Sequence, residues 1–511
     1  MGARAQGRKT GHALSRPADP RHISGVSSIG IDLGTSGIKA VVLDAAGNVQ
    51  AEATAPLALR HPHPLWSEQA PADWWQATEA AMAGLGRRAD LAAVHSIGLT
   101  GQMHGAVLLD AAGRVLRPAI LWNDARSAAE CATLDPLARR IAGNLAMPGF
   151  TAPKLLWVRR HEPEVFAATA RVLLPKDWLR LCLTGEAASD MSDASGTLWL
   201  AVAERRWSAE LLDACGLTDG NMPRLVEGTD PTGTVRDEVA RAWGLPHGVV
   251  VAGGAGDNAG AAIGLGCIKA GQAFLSLGTS GVVFVCDDAF RPAPARAVHA
   301  FCHCLPGIWH RMAVSLAAAS CLGWLTRVSG AESEGALLAE LDEAGVGVPH
   351  GPIFLPYLAG ERTPHNDPHA SGVFFGLESG TTRADLTRAV LEGVAFALAD
   401  GIDVLEESGG RIETLSVTGG GARSAVWGRI LAAALGRRLL YHAGGEIGPA
   451  LGAARLGRIA AGDGTVAELC PAPPLLRVQQ PEPDLRAMLA PRRTLFQRIY
   501  RDLRGAFAAR F

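Results

Sequence analysis

The chain has 511 residues, 48% of them hydrophobic and 19% charged, and a formal net charge of −2. That profile excludes a disordered chain, and the balanced charge offers no basic surface for nucleic acid or an anionic membrane, so any phosphate must be held by local geometry. At this length one hydrophobic core is too few, and two domains of roughly 200 to 250 residues each are expected.

The opening 26 residues, which include MGARAQGRKTGHALSRPADPRH, are basic and poor in helix formers. They lack the apolar segment of a signal peptide, and their Pro, Gly and His content spoils the amphipathic helix of a transit peptide, so a disordered extension is expected. Val26 to Leu33 reads as an apolar strand. Gly34 to Gly37 is a turn, Ile38 to Asp44 a second strand, and Ala46-Gly47-Asn48 a hairpin turn into Val49 to Leu57. ADWWQATEAAMAGL is an amphipathic helix with Asp73 as its expected N-cap. Ser96 to Thr100 and Val107 to Asp110 are strands on either side of the turn Gly101-Gln102-Met103-His104-Gly105.

The first turn then recurs. IDLGTSG at Ile31–Gly37 is written again as LSLGTSG at Leu275–Gly281, between the strands Ala273 to Leu277 and Val282 to Cys286. Two strand–turn–strand openings suggest an ancient duplication. Further on, Leu386 to Val404 reads as a long helix and Leu415 to Thr418 as a strand. Gly419-Gly420-Gly421 leads into a helix near Ser424, and Pro449 sits in the first turn of another, Ala450 to Ala461. Two α/β domains with mixed sheets follow, with a cleft where the two GTSG turns face each other.

Nine cysteines are scattered through the chain without a metal-binding pair. Cys302 and Cys304, flanking His303, read as core thiols rather than zinc ligands, and a reducing cytoplasm suits them. No window supplies the roughly 18 apolar residues of a membrane span.

The turns differ from a P-loop, because each joins two strands and carries no Gly-Lys-Ser/Thr. Either alone is explained as a tight hairpin that needs glycine. The duplication, with an acid before the first copy only, favours phosphate binding instead. Backbone N–H groups and hydroxyls of Gly34, Thr35 and Ser36, and of Gly278, Thr279 and Ser280, can cradle a polyphosphate from two sides. Asp32 can then hold Mg²⁺ beside the phosphates, with Lys39 on the next strand.

With these segments the chain resembles the FGGY carbohydrate kinases. The first DLGTS, the second GTSG and TGGGARS at Thr418–Ser424 are similar to that family's three nucleotide-binding segments. GQMHGAVLLD, ILWNDARS, ASDMSDASGT, GGAGDNAG, LPYLAGERTPHNDPHASGVFFGL and GPALGAARLG follow in the family's order. The resemblance implies an α/β chain with two domains of the actin/Hsp70/hexokinase (ribonuclease H-like) ATPase fold and an interdomain cleft. The expected division is residues 27–270 for sugar and catalytic base, 271–490 for nucleotide, and 491–511 as a C-terminal helix. It implies ATP with Mg²⁺ and D-xylulose as substrates, D-xylulose 5-phosphate as product, and a possible homodimer. A kinase for ribulose, gluconate or glycerol, or a non-enzymatic nucleotide-switched protein of the same fold, stays open as an alternative.

Residue by residue, the resemblance makes Asp257 the general base, although its local sequence equally suits an N-cap for a helix from Ala259. Met103 and His104, the WND-x-R residues Trp122, Asn123, Asp124 and Arg126, and Asn258 are implied at the sugar. Gly420, Gly421 and Ala422 are implied where adenosine approaches the backbone. Asp190, Ser192 and Asp193 lack the spacing of a calcium loop and read as a solvated loop or interdomain strut. Glu361-Arg362-Thr363-Pro364-His365 reads as a shaper of the domain interface, outside the catalytic set.

Overall fold

β1 (Ser27–Leu33), β2 (Gly37–Leu43) and β3 (Val49–Pro56) form an antiparallel meander, and β4 (Val94–Gly101) and β5 (Val250–Ala252) extend it in parallel from β1. The computed structural model describes residues 26–347 and 350–509; the basic opening segment, apart from Val26, lies outside the described residues. The same construction appears again in the second half. There β6 (Ala273–Leu277), β7 (Gly281–Asp287) and β8 (Trp309–Ser315) form the meander, and β9 (Thr414–Thr418) and β10 (Arg438–His442) the parallel extension. Identical order and direction in two sheets is what the repeated GTSG turn implied, since each turn joins the first two strands of its sheet.

The helices cover these sheets. α1 (Pro71–Gly86) packs on β2 and β3; β3 buries alternate residues, whereas β1 is buried along nearly its whole length because both its faces are covered. Asp73 is not the N-cap of α1. Ala70 holds that position and Pro71 starts the helix, so Asp73 lies in the first turn, where its charge suits the positive helix end. α2 (Asp257–Leu265) runs through small residues and stops at Gly266, whose φ of 75° is the left-handed conformation of a helix C-terminus. α3 (Arg383–Glu407) starts from a Thr382–Asp385 capping box. A 3₁₀ turn at Gly420–Arg423 precedes α4 (Ala425–Leu435), whose cap is the Ser424 hydroxyl accepting from Trp427 N–H. α5 (Gly448–Ala460) carries Pro449 in its first turn, as its sequence indicates. α6 (Pro483–Ala508) begins earlier than expected and runs through Pro491.

The sequence did not disclose where α5 goes. It lies across β1, β4 and α2, against the first half's sheet, although it belongs to the second half in sequence. Contact this close requires missing side chains. A Cβ on Gly98 would stand 1.7 Å from the Ala453 carbonyl oxygen, and one on Gly452 would stand 1.9 Å from that of Gly260. We expect Gly98→Ala to force the helix off the sheet and destabilise the protein by on the order of 3 kcal/mol, read as a lower urea midpoint. An unchanged midpoint would show that the helix seat is soft.

Candidate active site

Two hollows meet at the start of α2. The first, of about 160 Å³, is lined by Met103, His104, Trp122, Met147, Gly149, Phe150, Asp257, Asn258, Ser280, Val282, His299, Met312, Val314 and Arg362. The second, of about 400 Å³, is lined by Asp257, Asn258, Ala261, Leu265, Phe274, Ser276, Thr418, Gly419, Gly420, Arg423, Gly445, Gly448 and Pro449. Asp257 and Asn258 belong to both. The apolar walls and few polar groups of the first suit a small polyol, and the glycine-rich backbone of the second suits a nucleotide.

Asp257 is the first residue of α2, and Gly256 holds the N-cap, so the capping role considered from its sequence does not apply. Its Oδ1 accepts from the N–H of Asn258 at 2.7 Å and from Asn258 Nδ2 at 2.9 Å. Burial pushes its pKa up to about 6, and the Asn258 bonds oppose that rise. Behind it, Ser192 Oγ accepts the Gly256 N–H at 3.0 Å and donates to Asp190. Asp190, Ser192 and Asp193 are therefore no solvated loop. They lie fully buried in the strand Ala188–Asp190 and the helix Met191–Ser195, with the Lys176 ammonium 2.9 Å from Asp190 and 3.5 Å from Asp193. The strut part of that reading fits, because Ser195 Oγ accepts the Cys302 N–H from the second half.

His104 has φ of 69°, unusual for a residue with a side chain, and several groups hold it there. Lys154 Nζ and Thr151 Oγ1 both donate to its carbonyl, at 2.8 and 3.1 Å. Its Nδ1 lies 2.7 Å from the Gly196 carbonyl oxygen, so that nitrogen carries the proton and Nε2 is left as an acceptor. Burial lowers its pKa to about 3, which keeps the ring neutral. Gly196 has to be glycine, since a Cβ would stand 2.5 Å from the imidazole.

The WND-x-R segment divides. Trp122 lines the first hollow and donates from Nε1 to Thr35 Oγ1 at 2.9 Å, while Asn123 is exposed and outside the lining. Asp124 and Arg126 do not line the first hollow. Their side chains pair with each other at 2.7 Å, Asp124 also accepts the Ser67 N–H, and Arg126 reaches Glu68 and stacks over Trp66. They brace the segment that presents Trp122.

The two turns bracket the first hollow, with Ser280 in its wall and Thr35 bonded to Trp122. In each turn the first glycine N–H closes the loop, Gly34 onto Gly37 and Gly278 onto Ser280. Thr279 is held through its carbonyl by the N–H groups of Ala318 and Ser320. Thr35 Oγ1 donates to Gln102, so its hydroxyl proton is already committed. Asp32 and Lys39 stand opposite each other across β1 and β2, and Thr100 Oγ1 donates to Asp32 at 3.0 Å. Burial first, and the Asp257 charge second, push Asp32 up to about 7. On the nucleotide side Gly420 opens onto the groove, but Gly421 faces inward: a Cβ there would meet Leu277 at 2.5 Å. Its missing side chain serves packing rather than adenosine access, and Ala422 packs against the second half's core.

Sequence reasoning missed several residues. Phe150, His299 and Val314 carry no chemical motif. Arg362 was set aside with its cluster, yet it lines the sugar hollow, while Glu361 beside it is buried on Ser315 Oγ and the Leu316 N–H. Gly445, Gly448 and Pro449 join the nucleotide groove because α5 crosses to the first sheet. Cys302 and Cys304 are buried in the core, and among the described residues no helix is long and apolar enough to cross a membrane.

Residues 27–264 match the N-terminal domain of the FGGY family of carbohydrate kinases and residues 273–461 its C-terminal domain. The chain is 54% identical over 480 residues to a xylulose kinase of Escherichia coli (strain K12), covering 93% of this chain and 99% of that protein. It is 53% identical over 485 residues to a xylulose kinase of Klebsiella pneumoniae, with the same coverage. Among solved structures, one described as a xyloylose kinase from Brucella ovis superposes with a TM-score of 0.91 at 49% identity, covering 94% of this chain and 100% of that one. Duplicated sheets, paired turns and both domain matches agree: this chain belongs to the FGGY family of carbohydrate kinases, with their two-domain actin/hexokinase-like ATPase fold.

Proposed function

We propose that the protein transfers the γ-phosphoryl group of ATP to O5 of D-xylulose, giving D-xylulose 5-phosphate and ADP. The observation that carries this reading is the placement of Asp257 in the wall shared by a polyol-sized hollow and a glycine-rich groove. A carboxylate there can take the hydroxyl proton while the oxygen attacks the γ-phosphorus. Both relatives at more than half identity are xylulose kinases, which selects the sugar. Met103, His104, Trp122 and Asn258 orient the sugar, and the turns at Gly34–Ser36 and Gly278–Ser280 hold phosphate oxygens. Gly420 lets the nucleotide lie close to the backbone. With sugar and nucleotide held mainly by different halves, closure of the cleft brings them together and excludes water.

Mg²⁺ fits Asp32. Among the described residues no group of three or more acidic, His or Cys side chains could hold a metal alone, which suits an ion bound mainly by phosphates and water with one carboxylate. Asp32 is buried beside the negative charge of Asp257, so a cation would relieve both. When bound, Mg²⁺ neutralises charge on the phosphates. Asp32→Ala is expected to raise the Mg²⁺ concentration for half-maximal rate about tenfold or more, corresponding to a lost contact of roughly 1.4 kcal/mol. A defect that Mg²⁺ does not relieve would make Asp32 purely structural.

The test of the substrate is ADP release from Mg·ATP with D-xylulose, D-ribulose, D-gluconate, glycerol or no sugar. D-Xylulose should give the largest stimulation. Equal rates with and without every sugar would remove the proposal.

A further inference from the structure

We infer that Arg362 sets specificity for a ketose by donating hydrogen bonds to the C2 carbonyl oxygen of the open-chain sugar, an inference that rests on D-xylulose being the substrate. A 2-ketopentose closes its ring through O5, so a sugar that is phosphorylated on O5 has to be bound open, with a free ketone at C2. A ketone oxygen can only accept hydrogen bonds, whereas each hydroxyl both donates and accepts. A site that tells the ketose from the corresponding alcohols can therefore surround that oxygen with donors only, so that a hydroxyl there would have no acceptor for its own proton.

The polar atoms of the hollow are mostly of the other kind or already used. Asp257 accepts, and His104 presents Nε2 as an acceptor because its Nδ1 proton is given to Gly196. Asn258 Nδ2 gives one of its two N–H groups to Asp257, Trp122 Nε1 gives its single one to Thr35, and the Ser280 hydroxyl can both donate and accept. Arg362 is different. Guanidinium carries five N–H donors and no acceptor. Among the described residues its side chain makes one hydrogen bond, from Nη1 to His299 Nε2 at 3.3 Å, and no ion pair. Glu361, the neighbouring acid, spends its carboxylate on Ser315 Oγ and on the N–H groups of Leu316 and Arg362. His299 is buried and neutral, and Glu361, whose charge does act on Arg362, makes no ion pair with it, so guanidinium N–H donors face the hollow. Arg362 bonds His299 in the wall of the first hollow and is absent from the lining of the second, whereas Asp257 belongs to both. The ketone end of the chain thus meets Arg362 when O5 meets the base.

The experiment compares kcat/KM for D-xylulose with that for xylitol and D-arabitol, the two alcohols made by reducing its C2 carbonyl. Wild type, Arg362→Met and Arg362→Lys are measured side by side; where an alcohol turns over too slowly, its competitive inhibition constant is compared with the KM for D-xylulose instead. The preference for ketose over alcohol should fall tenfold to about a hundredfold in Arg362→Met, the range for a hydrogen bond to a charged group, and Arg362→Lys should recover part of it. Because the preference is a ratio within one preparation, misfolded protein cancels from it. A ratio within about twofold of wild type in both variants, whatever happens to the absolute rates, overturns the inference and leaves Arg362 a wall residue. If the wild type phosphorylates another sugar and not D-xylulose, the substrate reading fails first and this inference falls with it.

Discussion

Asp257→Ala is expected to lower kcat at least about a hundredfold while leaving Mg·ATP affinity within a few-fold of wild type. Loss of a positioned general base is of that size. The groove offers the nucleotide backbone from Gly419, Gly420, Gly445 and Gly448, none of which depends on the Asp257 carboxylate. A companion pH profile identifies the group. Burial raises the Asp257 pKa to about 6, and only the ionised carboxylate can accept the sugar proton. With Mg²⁺ saturating, so that Asp32 stays ionised, the wild-type rate should therefore fall as pH drops through about 6, and the residual rate of Asp257→Ala should lack that limb. A variant with near-normal kcat, or one retaining the same acid limb, would assign the base elsewhere.

The second large effect is on stability. Lys176 is fully buried with its ammonium 2.6 Å from Asp177, 2.9 Å from Asp190 and 3.5 Å from Asp193, and Arg180 lies 3.1 Å from Asp177. Burial disfavours the ammonium, but Asp177 and Asp190 together hold its pKa above the ordinary value. Lys176→Met would leave three buried carboxylates facing one guanidinium. We expect a loss of about 3–5 kcal/mol at pH 7, the size found when one partner of a buried pair is removed. The sign of the pH dependence follows from the carboxylates. Burial already holds the Asp193 carboxyl well above the ordinary range and the Lys176 ammonium opposes that rise, so the destabilisation is full at neutral pH and shrinks as acid protonates it. Melting curves at pH 7 and pH 5 should show the deficit narrowing. A variant as stable as wild type at pH 7 would mean that the cluster already holds protons enough to do without the lysine. Asp190 and Ser192 connect this cluster to the Gly256 N–H, so the same loss should loosen the start of the helix that carries the base.

What the sequence disclosed follows from locality. The strands beside each GTSG turn are legible because apolar runs, glycine turns and hairpin residues act within a few positions, and their repetition exposed the duplicated sheet. The destination of α5 was illegible. Its small residues say only that something packs closely, and the partners, Gly98 on β4 and Gly260 on α2, are far away in the chain. Asp190 and Asp193 read as solvated because charge usually is, and the lysine that pairs with both comes from another helix. Asp124 and Arg126 carried the family's motif, yet side chains two positions apart satisfied each other and left only Trp122 for the hollow. Arg362 shows the reverse. Its neighbours Glu361 and Thr363 bond within the second half rather than across to the first, while the arginine between them lines the first hollow. Asp257, Met103 and His104 were found by resemblance, and the hollow brings all three together.

The account turns on transfer to sugar oxygen rather than to water. The most direct test is phosphorus NMR of a reaction containing Mg·ATP and D-xylulose labelled with carbon-13 at C5. The expected result is ADP in equal amount with a phosphomonoester whose phosphorus couples to the labelled carbon. ADP accompanied by inorganic phosphate alone, or an ester without that coupling, would contradict it.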